Sequence, residues 1–145
     1  MTENAPKDIP NRFSSDFENR TVESEILIDS IVEALFERKA EDVTLIDVRG
    51  LTTLTDYFVV CHANADVQIK ALADNVTDKT IEQLNEKAWR KEGLETRRWV
   101  VLDYVNVVVH IFLREQREFY NLERMWSDAE ITHLEDIPNL KYQNR

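Results

Sequence analysis

The chain has 145 residues, the size of one ordinary domain, and a chain of that length buries roughly 70% of its unfolded surface without needing disulfides or a structural metal. Its 18 Lys and Arg stand against 28 Asp and Glu, a net charge of -10. That field repels phosphate, so direct sequence-specific nucleic-acid binding is excluded and basic proteins are the expected partners. A single cysteine, Cys61, excludes an internal disulfide, and its place after Tyr57-Phe58-Val59-Val60 reads as a small buried hydrophobe in a reducing, cytoplasmic setting. No apolar window has the length of a membrane span, and the opening MTENAPKD is neither basic nor apolar, as a secretory or organellar leader would be.

Residues 1–20 hold Pro6 and Pro10 among mixed charges and few aliphatic residues, which predicts a flexible leader. From Thr21, an N-cap type followed by Glu23 and Glu25, the residues Leu27, Ile28, Ile31, Val32, Leu35 and Phe36 recur at helical spacing over residues 21–40. Residues 43–48 and 57–61 read as strands, joined by the Thr-rich LTTLTD. Asn64 is the expected cap of a long helix whose stripe is Ile69, Leu72, Ala73, Val76, Ile81, Leu84 and Ala88, with Gly93 as its left-handed terminator.

The most informative run is WVVLDYVNVVVHIFLREQREFYNLERMW, residues 99–126. Residues 98–103 and 107–113 form a hairpin around Tyr104-Val105-Asn106, and Val107-Val108-Val109 puts valine on both faces of a strand, as a central strand of a covered sheet requires. Val105 denies the turn a glycine, so Asn106 is the expected residue at positive φ. A short helix follows. Its Phe119, Tyr120, Leu122, Met125 and Trp126 exceed what one small core needs and divide into a core stripe and an outer patch. The order α-β-β-α-β-β-α predicts an α/β protein, a mixed sheet flanked by helices over residues 21–128. Residues 129–145 form a C-terminal tail, an added helix turn or disorder.

Catalytic chemistry finds little support. Two glycines, Gly50 and Gly93, cannot build a glycine-rich phosphate loop. His62, His110 and His133 have no ligand-pair spacing, so no metal or cofactor is expected; His62 reads as a loop histidine and His110 as a hydrogen-bonded structural one. No serine has a nucleophile-elbow context. Asp47, Asp56 and Asp103 are the acids at strand ends, yet neither Asp47-Val48-Arg49 nor Asp103-Tyr104-Val105 supplies the second carboxylate that Mg²⁺-dependent transfer needs.

The blocks KAED (39–42), DVRGL (47–51), DYFVVC (56–61), WVVLDY (99–104), VVVHIF (107–112) and YNLERMW (120–126) together resemble the ribosomal silencing factor, or Iojap-like, family, in colinear order over residues 26–129. The resemblance implies a fold similar to the nucleotidyltransferase superfamily without its catalytic site. It also implies a non-enzymatic role: binding the fourteenth protein of the large ribosomal subunit on the face that meets the small subunit, so that subunit joining is blocked and translation falls in nutrient shortage. The chain departs from the family where Ser-Gly-Asn-Ser and an Arg-Gln pair are usual: it has His62-Ala63-Asn64-Ala65 and Val67-Gln68.

For that partner the candidate apolar contacts are Trp99, Tyr104, Tyr120, Leu122 and Trp126, with Asp103 and Glu123 as anionic partners of Lys or Arg; core packing is the competing reading for each aromatic ring. An exposed apolar patch also allows a free homodimer that hides the same surface. The enzyme alternative is a metal-dependent nucleotidyltransferase remnant using Asp47, Asp56 or Asp103. A third reading is a general acidic assembly adaptor.

Overall fold

A computed structural model describes residues 15–136 and 143–144, with side chains placed from residue 23 to 136. Helix α1 (Ser15–Glu37) leads into strands β1 (Glu41–Asp47) and β2 (Tyr57–Ala63), then helix α2 (Asp66–Leu84) and strands β3 (Arg90–Glu92), β4 (Trp99–Asp103) and β5 (Val107–Leu113). Two short helices, α3 (Arg114–Tyr120) and α4 (Leu122–Met125), precede β6 (Glu130–Glu135) and β7 (Gln143–Asn144). The sheet order is β3-β4-β5-β2-β1-β6-β7. Among the described strands β2 and β5 pair in parallel and the other pairs are antiparallel. This is the mixed sheet flanked by helices that the pattern predicts.

The two faces of the sheet are covered unequally. On one side α1 and α2 bury Leu27, Ile28, Ile31, Val32, Leu35, Ile69, Leu72 and Val76 against Val59, Cys61, Val100, Leu102, Val107, Val109 and Ile111. Two serines in this layer find partners: Ser24 Oγ accepts from Asn106 Nδ2 at 2.7 Å, and Ser30 Oγ donates to Gln83 Oε1 at 2.7 Å. On the other side a smaller core joins Ile46, Val48, Val60, Phe112 and Leu122, with Phe58, Trp99, Trp126 and Ile131 partly buried around it. This second face, covered by only eleven helical residues of α3 and α4, is the outer face.

Several boundaries differ from the sequence reading. Helix α1 starts at Ser15, inside the expected leader; residues 1–14 lie outside the described residues. Helix α2 stops at Leu84, because Asn85 takes the left-handed conformation (φ 55°) and the Asn85 and Glu86 N–H groups close back onto Ile81 and Thr80 carbonyls. Its expected cap, Asn64, makes no cap bond. Instead it donates to Glu41 and accepts from Arg114. Gly93 serves the β3–β4 connection at φ 82°, where a Cβ would lie 2.0 Å from the Trp99 carbonyl oxygen.

The turn between β4 and β5 puts positive φ on Val105 (78°), not Asn106, and the Asn106 N–H bonds back to the Tyr104 carbonyl at 3.0 Å. An i-to-i+2 closure at that φ is a strained turn for a β-branched residue. The expected tail after Asp128 is also corrected: β6 pairs with β1 from Thr44↔His133 to Asp47↔Glu130, and Leu134 is buried beneath α1. Its sparse apolar content hid it. An otherwise bare edge of β1 supplies the ladder that makes the segment a strand.

Candidate functional site

The aromatic helix of the sequence reading is two helices, and the break decides which rings face out. Asn121 adopts φ 48°, ending α3, while its side-chain oxygen accepts from the Arg124 N–H and caps α4. The chain thus turns between Tyr120 and Leu122. Leu122 drops into the outer-face core and Trp126 settles on Phe58, ring centroids 5.5 Å apart. Phe119 is 79% exposed, Tyr120 44% and Met125 67%.

Strand β4 completes this surface. Val100 and Leu102 point to the helix-side core, so Trp99, Val101 and Asp103 project to the outer face by strand alternation. Trp99 stacks on Phe112 at 4.8 Å and against Tyr120 at 4.7 Å, and Phe119 meets Tyr120 edge-on at 5.0 Å. A ridge of rings runs from the half-buried Trp99 to the open Phe119. Beneath it lies His110, whose Nδ1 accepts the Trp99 indole N–H at 3.0 Å. Burial pushes the His110 imidazole pKa down to about 4.

A charged hub fastens the two short helices to the sheet. Arg117 is only 6% exposed. Its guanidinium donates to the Glu123 carboxylate, to the Asp42 carbonyl at 2.7 Å, to Thr44 Oγ1 at 3.0 Å and to His62 Nδ1 at 3.0 Å. The Asp42 carbonyl reaches Arg117 because β1 bulges between Glu41 and Thr44, with Asp42 at φ 49°. Arginine only donates, so His62 Nδ1 accepts and its proton sits on Nε2, facing Glu41 at 3.4 Å. Burial, reinforced by Arg117 and Arg114, holds the His62 pKa below its ordinary value. Burial raises the Asp42 pKa, but Arg117 and His133 outweigh it and leave the carboxyl below the usual range. A cleft of about 580 Å³ opens beside this hub, lined by Asp42, His62, Arg114, Glu118 and His133 among others.

The structure sorts the residues singled out in the sequence. Trp99, Tyr120 and Trp126 share the outer face. Leu122 shares it as a core residue, 6% exposed, and offers little contact area. Tyr104 is a correction: it is 4% exposed on the opposite, helix-side core, its hydroxyl 2.9 Å from Thr80 Oγ1. Strand alternation carries it there, since Tyr104 continues the Val100 and Leu102 series on the helix side. Glu123 is taken up by Arg117, and Asp103 accepts from the Val105 N–H at 2.8 Å and faces Arg90 at 3.6 Å. His62, read as a loop histidine, is buried in β2. Arg117, Asp42, Thr44 and Phe58 were missed; the legible signal was Thr44 and His62, polar residues at core-periodic positions of apolar strands.

Of the three strand-end acids, Asp47 and Asp56 both act on Arg49 and Tyr57, while Asp103 sits on the opposite face from Asp47. Asp47 lines a helix-side cleft with Glu25, Asp29 and Tyr57 and is bridged twice by Arg49, at 2.9 and 2.7 Å, whereas Asp103 lies on the outer face. Among the described residues no group of three or more His, Cys, Asp or Glu side chains is placed to hold a metal ion. No helix among them is long and apolar enough to cross a membrane.

Residues 21–145 match the family model described as ribosomal silencing factor during starvation. The chain is 36% identical over 111 residues to the ribosomal silencing factor RsfS of Halalkalibacterium halodurans, covering 77% of this chain and 94% of that one. It is 37% identical over 99 residues to its counterpart in Bacillus subtilis (68% and 83% covered), and 36% identical over 100 residues to the chloroplastic protein Iojap of Zea mays (69% and 43%). Among solved structures, a Chromobacterium violaceum protein superposes with a TM-score of 0.68 at 31% identity, covering 71% of this chain and 85% of that one. A Bacillus halodurans protein superposes at 0.64 and 36%, covering 70% and 94%.

Proposed function

Since the chain belongs to the ribosomal silencing factor family, we propose that it binds the large ribosomal subunit through the fourteenth protein of that subunit and, by occupying the contact surface, blocks association with the small subunit. Translation falls accordingly when nutrients are short. The outer aromatic ridge is the docking face. Its support is one observation: on a protein of net charge -10, Phe119 and Tyr120 stand exposed in ring contact, backed by the half-buried Trp99.

Tyrosine and tryptophan dominate binding hot spots because they bury much area at little entropy cost, while a negative field steers the encounter with a basic ribosomal protein. The mechanism is steric occlusion in the cytoplasm, with no substrate and no turnover. The free protein pairs with itself across the same rings, a homodimer that hides the ridge until a subunit is met.

The test is joining of isolated subunits, followed by sedimentation with and without the purified chain and without added nucleotide. Inhibition is expected, and Tyr120→Ala should weaken subunit binding by about 2 kcal/mol. A folded Tyr120→Ala, Phe119→Ala double variant that inhibits joining as well as the parent would refute the choice of face. The nucleotidyltransferase alternative predicts instead a higher melting temperature with Mg²⁺ and a nucleoside triphosphate.

A further inference from the structure

Among the described residues, the outer face carries a buried polar atom that the fold leaves unanswered. His110 lies mid-strand on β5, between Val101 of β4 and Val60 of β2. Its Nδ1 is occupied by the Trp99 indole N–H, which only donates, so the proton of the neutral imidazole is on Nε2. That Nε2 is buried and has no hydrogen-bond partner among the described residues. Native interiors answer almost all such donors, since an unmet one forfeits its hydration without return.

The surroundings of the ring place it just under the docking face. Phe58 packs edge-on at 5.0 Å, and the Trp99 ring lies 5.9 Å away. Tyr120, 44% exposed, covers Trp99. His110 is 8% exposed, so it lies directly beneath the ridge. The chemistry of the missing group is also defined. A neutral Nε2–H needs an acceptor, which Lys and Arg side chains of a basic partner do not have, whereas every residue of its main chain presents a carbonyl.

We propose that His110 is the buried polar anchor of the docking face, its Nε2–H donating to a main-chain carbonyl of the bound basic partner once the Tyr120 ring moves aside, with Trp99 keeping its bond to Nδ1. The inference rests on the docking reading above and adds a directional bond to it. Apolar rings give area, and this bond fixes the register of the partner segment.

Two substitutions separate the nitrogens. His110→Asn keeps an acceptor near Nδ1 for Trp99 but has no donor at the reach of Nε2; His110→Gln keeps an amide donor there. Binding of each to the purified fourteenth large-subunit protein is measured by calorimetry, alongside the ring ¹H–¹⁵N spectrum of the parent, free and bound. The expected result is about tenfold weaker binding for Asn, near 1.4 kcal/mol, and a loss of less than about threefold for Gln. The parent Nε2–H resonance should move downfield and exchange more slowly in the complex, a readout that holds even where a variant does not fold. Parent binding with an unmoved Nε2–H resonance overturns the anchor and leaves the docking reading standing. No binding by the parent overturns both.

Discussion

Replacing Arg117 by Met tests whether the charged hub holds the docking face together. The substitution keeps the aliphatic length and removes the guanidinium, leaving the Glu123 carboxylate, the Asp42 carbonyl, Thr44 Oγ1 and His62 Nδ1 without their shared donor. Glu123 and Asp42 reach water by small movements, since their side chains are 22% and 40% exposed, so the loss sits at the lower end for a broken buried pair, about 3 kcal/mol. For a domain of this size that corresponds to a melting temperature lower by roughly 10 °C. Thermal unfolding followed by circular dichroism reads the shift, and subunit binding reads its consequence: with α3 and α4 released from β1 and β2, the ridge loses its brace and affinity falls with stability. Adding Glu123→Gln to the Arg117→Met background removes the stranded charge and should recover about 1 kcal/mol, the share of the penalty that belongs to the unpaired carboxylate. An Arg117→Met variant that melts within about 2 °C of the parent would refute the hub as a structural element.

Acid should weaken the fold through His110. Its folded pKa, about 4, lies below the unfolded value near 6.5, so the unfolded chain binds the proton first; the stability is whole above about pH 6.5 and is lost as pH falls toward 4, roughly 2 kcal/mol by pH 5. His62, shifted the same way, adds to the loss, and urea unfolding at pH 7 and pH 5 measures the sum, with His110→Asn flattening the profile. At the β4–β5 turn, Val105→Gly should raise stability by about 1 kcal/mol by relieving a positive φ at a β-branched residue, read as a higher urea midpoint at unchanged slope. Tyr104→Phe, which removes one of the two hydrogen bonds of Thr80 Oγ1 in the helix-side core, should cost about 1 kcal/mol of stability while leaving affinity for the subunit unchanged, in contrast to Tyr120→Ala.

The elements with strong periodicity were legible. The stripe of Leu27, Ile28, Ile31, Val32 and Leu35 defines α1 because each faces the same layer, and the valine run of β5 announces a strand covered on both sides. What the residues did not announce are the places where an asparagine or a neighbouring strand overrides pattern. Asn85 and Asn121 end helices whose apolar spacing continues past them, since an αL residue stops the ladder whatever residues come next. Strand β6 has little apolar signal of its own and exists because β1 offers an edge.

The candidate site divides along the same line. Trp99, Tyr120 and Trp126 stand out in sequence as aromatic residues in excess of a small core, and their role as partner contacts is the proposal made above. Composition fixes the acidic field, and the scarcity of glycine excludes phosphate loops, because both depend on residue counts alone. The sharing of one face by Trp99, Tyr120 and Trp126, the burial of Tyr104 behind the sheet, the capture of Glu123 by Arg117 and the unanswered Nε2 of His110 were decided only by tertiary structure. Each depends on which strands pair and where a helix turns, and those are relations between residues distant in the chain, such as Asp42 and Arg117, 75 positions apart, that no local pattern encodes.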